Sequence, residues 1–297
     1  MSVSPYKKSL SEKIFIRFIY LFFIVYGLVA LFPFLNVIAK SLSSEGAVIA
    51  GLVTIYPIGF QTGTYQYVLS NPLFVNSFKV TIFITAVGTF LSLLMTVLAA
   101  YPLSKPDLVG RKPILLVYIF TMLFSGGLIP SYILMRELGL VNNIWVLILP
   151  GMISVFNMLI VKNFFEGLPE GLEESAKIDG ASNITVLFRI ALPLSKPVLA
   201  TIGLFYAVAL WNSYFGAMVY ITDPSLKPLQ LYLKELIAST KDTMLVAGEV
   251  DLSRDLNTTA DSVQAAAIIT ATVPILIVYP FLQKYFVKGA FVGSVKG

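Results

Sequence analysis

Long uncharged runs alternate with short charged segments along this chain. An α-helix rises 1.5 Å per residue, so about 20 apolar residues cross the hydrocarbon core of a bilayer. Six uncharged runs reach that length, and the pattern therefore predicts an all-α membrane protein with six transmembrane helices. The predicted spans are Phe18–Ala39, Val80–Ser104, Pro113–Met135, Leu138–Val161, Pro197–Thr222 and Ser262–Gln283.

A further uncharged stretch, Gly46–Phe78, does not qualify as a span. Prolines and glycines interrupt it, and only Ala47–Phe60 is mainly apolar. That segment is too short to cross a bilayer. We therefore predict an external loop over residues 40–79, with a short helix on the membrane surface.

Composition supports the membrane assignment. Of the 297 residues, 57% are hydrophobic and only 12% are charged, with a mean hydropathy of +0.84. Soluble domains carry roughly 25% charged residues. Cysteine and histidine are absent, which excludes disulfides, cysteine nucleophiles and histidine general bases. We expect a single transmembrane domain over residues 1–297.

The placement of lysine and arginine predicts the orientation, because cytoplasmic connections carry an excess of these residues. With the N-terminus inside, 14 of the 21 Lys and Arg residues are cytoplasmic. Both termini are then cytoplasmic, and residues 223–261 form the second external loop. The net charge of +5 follows from this bias and requires no nucleic-acid partner. Because no small-residue cleavage site follows the first span before Lys40, we expect that span to be retained.

One cytoplasmic connection differs from its apolar surroundings. This insert, Glu173–Pro197, reads EESAKIDGASNITVLFRIALPLSKP. Apolar residues at a spacing of four predict a short amphipathic helix from Pro169 onward. Glu173 and Lys177 have the spacing of an i,i+4 ion pair in the favourable order.

The middle of the insert contains residues that end one helix and begin the next. Gly180 is predicted to end the first helix, and Ser182 or Asn183 to begin the next. The insert is therefore a helix–glycine–helix element across the membrane face. Taken by itself, this pattern fits a solvated connector as well as a docking element for a cytoplasmic partner.

The insert also carries the EAA signature of ABC-importer permeases. That signature is Glu-Ala-Ala, three residues, Gly, nine residues, and Ile-x-Leu-Pro. The matching residues are Glu174, Ser175, Ala176, Gly180, Ile190, Leu192 and Pro193, with Ser175 in place of the first alanine. Fixed identities at the correct spacing, in the correct connection of a six-span chain, make the match specific.

Other stretches extend the resemblance over nearly the whole chain. AAYPLSKPDLVGRKPI after the second span and WNSYFGAMVYITDPSLKPLQLYL at the end of the fifth resemble carbohydrate permeases, as does the terminal GSVKG. FSGGLIPSYILMRELGLVNNIWVLILPG is similar to the branch that imports oligosaccharides and polysaccharide fragments. The chain thus resembles the MalG-like permease subunits of binding-protein-dependent carbohydrate ABC importers.

This resemblance implies the type I ABC importer permease fold. It also implies that a separate subunit hydrolyses ATP. Residues 168–193 would contain the coupling helix, which docks into a cytoplasmic ATPase dimer that binds ATP and Mg. The tail Ser294–Gly297 would reach the same interface. The chain has no phosphate-binding G-x-x-x-x-G-K-[ST] motif, so we expect it to bind no cofactor itself. The implied ATPase-coupling residues are Glu173, Glu174, Ser175, Ala176, Lys177, Asp179, Gly180, Ala181, Ile190, Leu192 and Pro193.

The resemblance also implies a second homologous permease subunit and an extracellular or periplasmic solute-binding protein. The external loop 223–261 would contact the binding protein, although its composition also fits a solvated loop. Polar and aromatic residues of the spans are candidates for the translocation path, but such residues also bond helices together or form interfacial belts. The strongest candidates are Asn157, Trp211, Asn212, Ser213 and Tyr214, beside Asn142, Asn143, Ser154 and Gln264.

Two other function classes are weaker alternatives. An ion-coupled secondary transporter usually carries a charged residue within its spans, and none lies within the six predicted here. A membrane-embedded enzyme usually needs clustered acids or histidines at a membrane face. We therefore expect a non-catalytic sugar permease, embedded in the lipid of the bacterial cytoplasmic (inner) membrane. The sequence does not identify the sugar.

Overall fold

The computed structural model describes residues 9–246 and 259–292, with the backbone alone at residues 170, 239–246 and 278–292. Every regular element in this part of the chain is helical, which confirms the all-α prediction. The helices are α1 (Leu10–Ser41), α2 (Glu45–Ile49), α3 (Gly63–Ser70), α4 (Pro72–Ser104), α5 (Arg111–Leu123), α6 (Leu128–Glu137), α7 (Val155–Glu166), α8 (Glu170–Ile178), α9 (Asn183–Val186), α10 (Leu192–Leu194), α11 (Lys196–Trp211), α12 (Phe215–Tyr220), α13 (Leu229–Val246) and α14 (Ala260–Val292). Between them lie 3₁₀ turns at Ile144–Leu147, Leu149–Gly151 and Pro224–Leu226, and a π-helical turn at Leu187–Ala191.

Membrane-crossing capacity follows from the length and composition of these helices. In the described residues, α1, α4 and the Ala260–Ile277 part of α14 are each long and apolar enough to cross a bilayer. Three bent pairs raise the number to six if each pair is one span. They are α5 with α6, bent by 113°, Ile144–Gly151 with α7, bent by 47°, and Asn183–Leu194 with α11, bent by 82°.

Several predicted spans are broken where the sequence pattern is continuous. The run Pro113–Met135 contains the sharp bend between α5 and α6, where Gly127 has φ +89°. This left-handed conformation costs glycine little, because glycine has no Cβ. The run Pro197–Thr222 divides into α11 and α12, and the predicted external loop 223–261 contains the whole of α13.

By its contacts, the chain divides into two units, Met1–Ser70 with Ile237–Thr270, and Asn71–Leu236 with Ala271–Gly297. In the first unit, the predicted external loop is ordered by hydrogen bonds to the end of α1. Asn36 donates to the carbonyls of Val53 (3.2 Å) and Thr54 (2.7 Å). Ser43 donates to the carbonyl of Ala39 at 2.6 Å. The loop contains one short helix next to the end of α1, α2, whose Ala47 and Val48 are buried.

The second unit has its core where α4 packs against α7 and α11. Glycines permit the close approach of α4 and α11. A Cβ on Gly88 would lie 2.7 Å from a Leu210 methyl, and one on Gly203 would lie 3.1 Å from a Leu93 methyl. Small residues at helix contacts are typical of membrane proteins, in which backbones must approach closely to gain packing energy.

A buried hydroxyl pair ties the same three helices together. The Tyr206 hydroxyl on α11 lies 2.7 Å from the Thr96 hydroxyl on α4. It also accepts a hydrogen bond of 3.0 Å from the backbone N–H of Ser154, which caps α7. Since buried polar groups are costly without partners, these bonds fix how the three helices align.

Candidate functional site

The insert between α7 and α11 forms the helix–glycine–helix element that the sequence predicts. Helix α8 follows Pro169 and ends at Ile178. Gly180 has φ +81°, and its N–H donates to Lys177 O at 3.0 Å. The N–H of Ala181 donates to Ala176 O at 2.9 Å. This pair of bonds is a Schellman motif, which terminates helices at a left-handed residue.

The second half of the insert restarts the helix and carries it toward α11. Ser182, rather than Asn183, is the N-cap of α9, and its hydroxyl accepts from the Thr185 N–H at 3.2 Å. A π-helical turn connects α9 to α10. Pro193 in α10 has no N–H to donate to the preceding turn, which favours irregular hydrogen bonding at this point.

The structure separates the predicted coupling residues into two groups. One group packs inward or is partly buried: Glu173, Ala176, Ala181, Ile190 and Leu192. The other group is exposed: Glu174, Ser175, Lys177, Asp179, Gly180 and Pro193. Ile178, at the end of α8, is 86% exposed.

The predicted Glu173–Lys177 ion pair is wrong. Glu173 pairs with Lys105, which lies just after α4, and both carboxylate oxygens accept from its ammonium. The Glu173 side chain is only 14% exposed. The same ammonium lies 4.5 Å from the centroid of the Tyr101 ring. Glu173 therefore attaches α8 to the rest of the chain, and only Glu174 of the two neighbouring acids faces outward.

A second ionic cluster lies in the same connections. Glu166, the last residue of α7, pairs with Arg111 at the start of α5 and with Lys162 at 2.7 Å. Arg111 also donates from Nε to the Leu103 carbonyl at 2.9 Å. The sequence pattern predicts no role for Glu166, Arg111 or Lys162. Lys105 and Arg111 do lie in the stretch that resembles other carbohydrate permeases, which is the one sequence signal that pointed to them.

The candidate translocation residues occupy two environments. Asn157 on α7 and Trp211 at the end of α11 are buried. The Trp211 ring packs edge-on against Phe78, with centroids 6.1 Å apart. Asn212, Ser213 and Tyr214 are exposed and form the break between α11 and α12. No described contact brings Asn157 together with residues 211–214.

The break between α11 and α12 lies near a lysine of α13. Lys234 on α13 places its ammonium 4.2 Å from the centroid of the Tyr214 ring. It also lies 3.6 Å from the Met218 sulfur. The exposed ring, the exposed amide and hydroxyl before it, and this cation form one surface on the predicted external side.

Asn142 binds the segment at residues 222–223 through its side-chain amide. It has φ +57° in the turn before Ile144–Leu147. Its Oδ1 accepts from the N–H groups of Thr222 (2.6 Å) and Asp223 (3.1 Å), and its Nδ2 donates to the Thr222 hydroxyl at 2.6 Å. The hydroxyl of Ser225, and after it the Ser225 N–H, donate to Asp223 Oδ1 at 2.8 Å each and lower the pKa of Asp223. This Asn142 clamp fixes the segment that leads into α13.

The predicted tail contact of Ser294–Gly297 lies outside the described residues. Within residues 9–246 and 259–292, no three carboxylates are grouped as metal ligands. The surface of α8 and the break at residues 212–214 are therefore the two candidate sites.

Comparison with known proteins places this geometry in context. The family model described as "Binding-protein-dependent transport system inner membrane component" matches residues 6–292. The chain is 48% identical to protein LplC of Bacillus subtilis, over 91% of both chains. It is 40% identical to the polygalacturonan/rhamnogalacturonan transport system permease protein YtcP of the same organism, over 97% of this chain and all of that one. A bacterial ABC transporter involved in import of the acidic polysaccharide alginate contains a chain with a TM-score of 0.86, at 35% identity over 95% of this chain and all of that chain.

Proposed function

Since the chain belongs to the family of binding-protein-dependent transport system inner membrane components, we propose that it carries oligosaccharides across the membrane. It is a multi-pass inner-membrane permease subunit of an ABC sugar importer, with the type I importer permease fold and no catalytic role of its own. The observation that carries this conclusion is the family match over residues 6–292, together with full-length similarity to a named polysaccharide permease.

We further propose that the exposed half of α8 docks on a separate cytoplasmic ATPase dimer, which binds ATP and Mg. The exposed charges of Glu174, Lys177 and Asp179, with Ile178 among them, support this assignment. Charged groups set orientation at protein interfaces, and a desolvated apolar residue adds binding energy. The Schellman turn at Gly180 gives the docking surface a fixed end.

Two routes connect this surface to the transmembrane core. Glu173 transmits movement of α8 to the end of α4 through Lys105. The chain from α9 to α10 continues into α11 with a bend of 82°. Since α4 and α11 pack against each other, a displacement of α8 acts on one packed unit from two points. Rigid contacts of this kind carry conformational coupling.

The translocation path is proposed to lie between this chain and a second homologous permease subunit. The segment Trp211–Tyr214 offers an aromatic ring, an amide and a hydroxyl where α11 ends. Sugar rings stack on aromatic faces, and hydroxyls exchange hydrogen bonds with amides. A solute-binding protein delivers the sugar at the outer face, where the external segment 223–261 is proposed to meet it.

Reconstitution of the complex in proteoliposomes tests the proposal. Co-purification of this chain should recover a second permease, an ATPase and a solute-binding protein. Uptake of oligosaccharide should require ATP inside, and Glu174→Arg should lower uptake while ATP hydrolysis continues. The matched control is Gly171→Ala, at an exposed α8 position with open space around an added Cβ.

Other results would point to the alternative classes. Uptake that survives ATP depletion but fails with an uncoupler would identify an ion-coupled transporter. Turnover of a substrate by the purified chain alone would identify an enzyme. An active complex without any ATPase would overturn the proposal.

A further inference from the structure

We propose that Lys234 and Tyr214 form a subsite for the carboxylate of an acidic sugar, so that this permease selects uronic-acid oligosaccharides over neutral ones. The inference rests on the proposed function and deepens it. It assigns a substrate class to the surface where α11, α12 and α13 meet. It also assigns the discrimination to one side chain that the sequence pattern did not reveal.

The first observation is the state of the Lys234 ammonium. It makes no ion pair with any carboxylate in the described residues, and its polar neighbour is the Met218 sulfur at 3.6 Å. Lys227, in the same external segment, differs because it pairs with Glu235 at 2.7 Å. A lysine whose charge is already neutralised has little to offer an anionic ligand. Among the described residues, no carboxylate occupies the Lys234 ammonium, which can therefore bind such a ligand.

The second observation is the position of that charge over the Tyr214 ring, 4.2 Å from the centroid. The cation–π attraction holds the ammonium at an exposed site only weakly. A carboxylate offers the ammonium a charge-assisted hydrogen bond, which is stronger. An acidic sugar would therefore draw the ammonium away from the ring. The vacated aromatic face would then be open to the C–H face of the same sugar.

The third observation is the chemistry beside the ring. Asn212 and Ser213 are exposed immediately before Tyr214. The Asn212 side chain donates to the Val208 carbonyl at 2.9 Å, which leaves its Oδ1 as an acceptor directed by a fixed amide. An amide oxygen and a serine hydroxyl suit ring hydroxyls. In one uronic acid unit, the ring would thus stack on Tyr214, the hydroxyls would bond to Asn212 and Ser213, and the carboxylate would pair with Lys234.

Uptake kinetics of the whole complex, with its ATPase and binding protein in proteoliposomes, test this assignment. The probes are trigalacturonate and its trimethyl ester, which has the same hydroxyls and no charge. Lys234→Gln should raise KM for trigalacturonate about tenfold, since one charge-assisted contact is lost. Lys234→Arg should stay within about twofold of wild type. Lys227→Gln removes the same charge from the same segment and should also stay within about twofold.

The controls separate the possible failures. The Lys234 variants should keep wild-type thermal stability, because the side chain is exposed. Equal KM values for wild type and Lys234→Gln, or equal effects of Lys227→Gln and Lys234→Gln, would overturn the subsite. Wild-type preference for the ester would do the same.

Two further outcomes are distinct. A higher binding-protein concentration for half-maximal ATP hydrolysis in Lys234→Gln, with either probe, would make Lys234 a docking residue and overturn the subsite. Absence of uptake of any oligosaccharide by the wild-type complex would instead count against the proposed function.

Discussion

Lys105 and Glu173, 68 residues apart in the sequence, form the ion pair that joins the end of α4 to α8. The carboxylate is mostly shielded from water and accepts through both oxygens. The pair places an inward anchor on the same helix that presents Glu174 outward. One turn of α8 therefore combines an internal attachment with an external surface.

Breaking this pair should weaken the attachment of α8. Glu173→Ala or Lys105→Ala should each lower the stability of the complex by about 1–2 kcal/mol, because one charge remains partly buried without its partner. Each should also raise the number of ATP molecules hydrolysed per sugar imported. Thermal inactivation of the purified complex and the ATP-to-sugar ratio are the two measurements. The double variant should lose less than the sum of the single ones.

Lys177→Ala is the matched control for the ion pair. The local sequence pattern assigns the partner role to Lys177, whereas the structure leaves that side chain exposed. Its replacement should lower the thermal stability of the complex less than Lys105→Ala does. Equal destabilisation by Lys177→Ala and Lys105→Ala would contradict the observed pairing.

Gly180 should be sensitive to substitution because of its backbone conformation. An added Cβ would meet no atom within 4 Å, so the strain comes from φ +81° alone. Gly180→Ala should cost about 1–2 kcal/mol, and Gly180→Asn less, because asparagine tolerates the left-handed region. Gly180→Trp adds bulk to the docking surface and should uncouple ATP hydrolysis from uptake. Membrane insertion, checked by protease accessibility of the loops, should remain intact; normal uptake by Gly180→Trp would reduce the insert to a connector.

Replacement of Asn142 should loosen the external segment that leads into α13. Asn142→Ala loses three side-chain hydrogen bonds and leaves a non-glycine residue at φ +57°. We expect a loss of about 2–4 kcal/mol from these two effects together. Asn142→Gly relieves the backbone strain but also lacks the three hydrogen bonds. Its loss of stability should therefore lie between those of wild type and Asn142→Ala. Hydrogen exchange of residues 220–226 would measure the effect, and equal protection in all three proteins would contradict the clamp.

Glu45 should make the stability of the first unit pH-dependent. Burial raises the pKa of Glu45 above its usual value of 4.5, against the opposing effect of a backbone hydrogen bond from Thr259. The folded chain therefore binds the proton more tightly than the unfolded chain does. Stability falls as the pH rises from 4.5 through the raised pKa. Thermal inactivation of wild type and Glu45→Gln between pH 4 and 7 would show this, because the variant should lack that part of the slope.

Local chemistry was readable from the sequence at the centre of the insert. Gly180 ends α8 and Ser182 caps α9 because both effects depend on residues within one turn. The pairing of Glu173 was not readable in this way. An i,i+4 pair on a solvated helix contributes a few tenths of a kcal/mol, and a partly shielded partner from another connection outweighs it. Lys105 becomes a neighbour only after α4 and α7 have packed.

The bend between α5 and α6 was missed for a different reason. Hydropathy reports whether a run is apolar, and it contains no information about the direction of the chain. The adjacent glycines Gly126 and Gly127 were the available signal, because glycine is unfavourable within helices and free to adopt positive φ. Similarly, the sequence does not predict α13, because its charged residues give the external segment the composition of a loop.

The opposite faces of Glu173 and Glu174 have a consequence for how such permeases diverge. A permease that acquires a different ATPase during evolution must change the side chains that contact it. Glu174 and Ile178 belong to that set. Glu173 instead pairs with Lys105, which is encoded by the same gene. Among related permeases, the residue at position 173 should therefore vary together with the residue at position 105. The residue at position 174 should vary with the sequence of the ATPase.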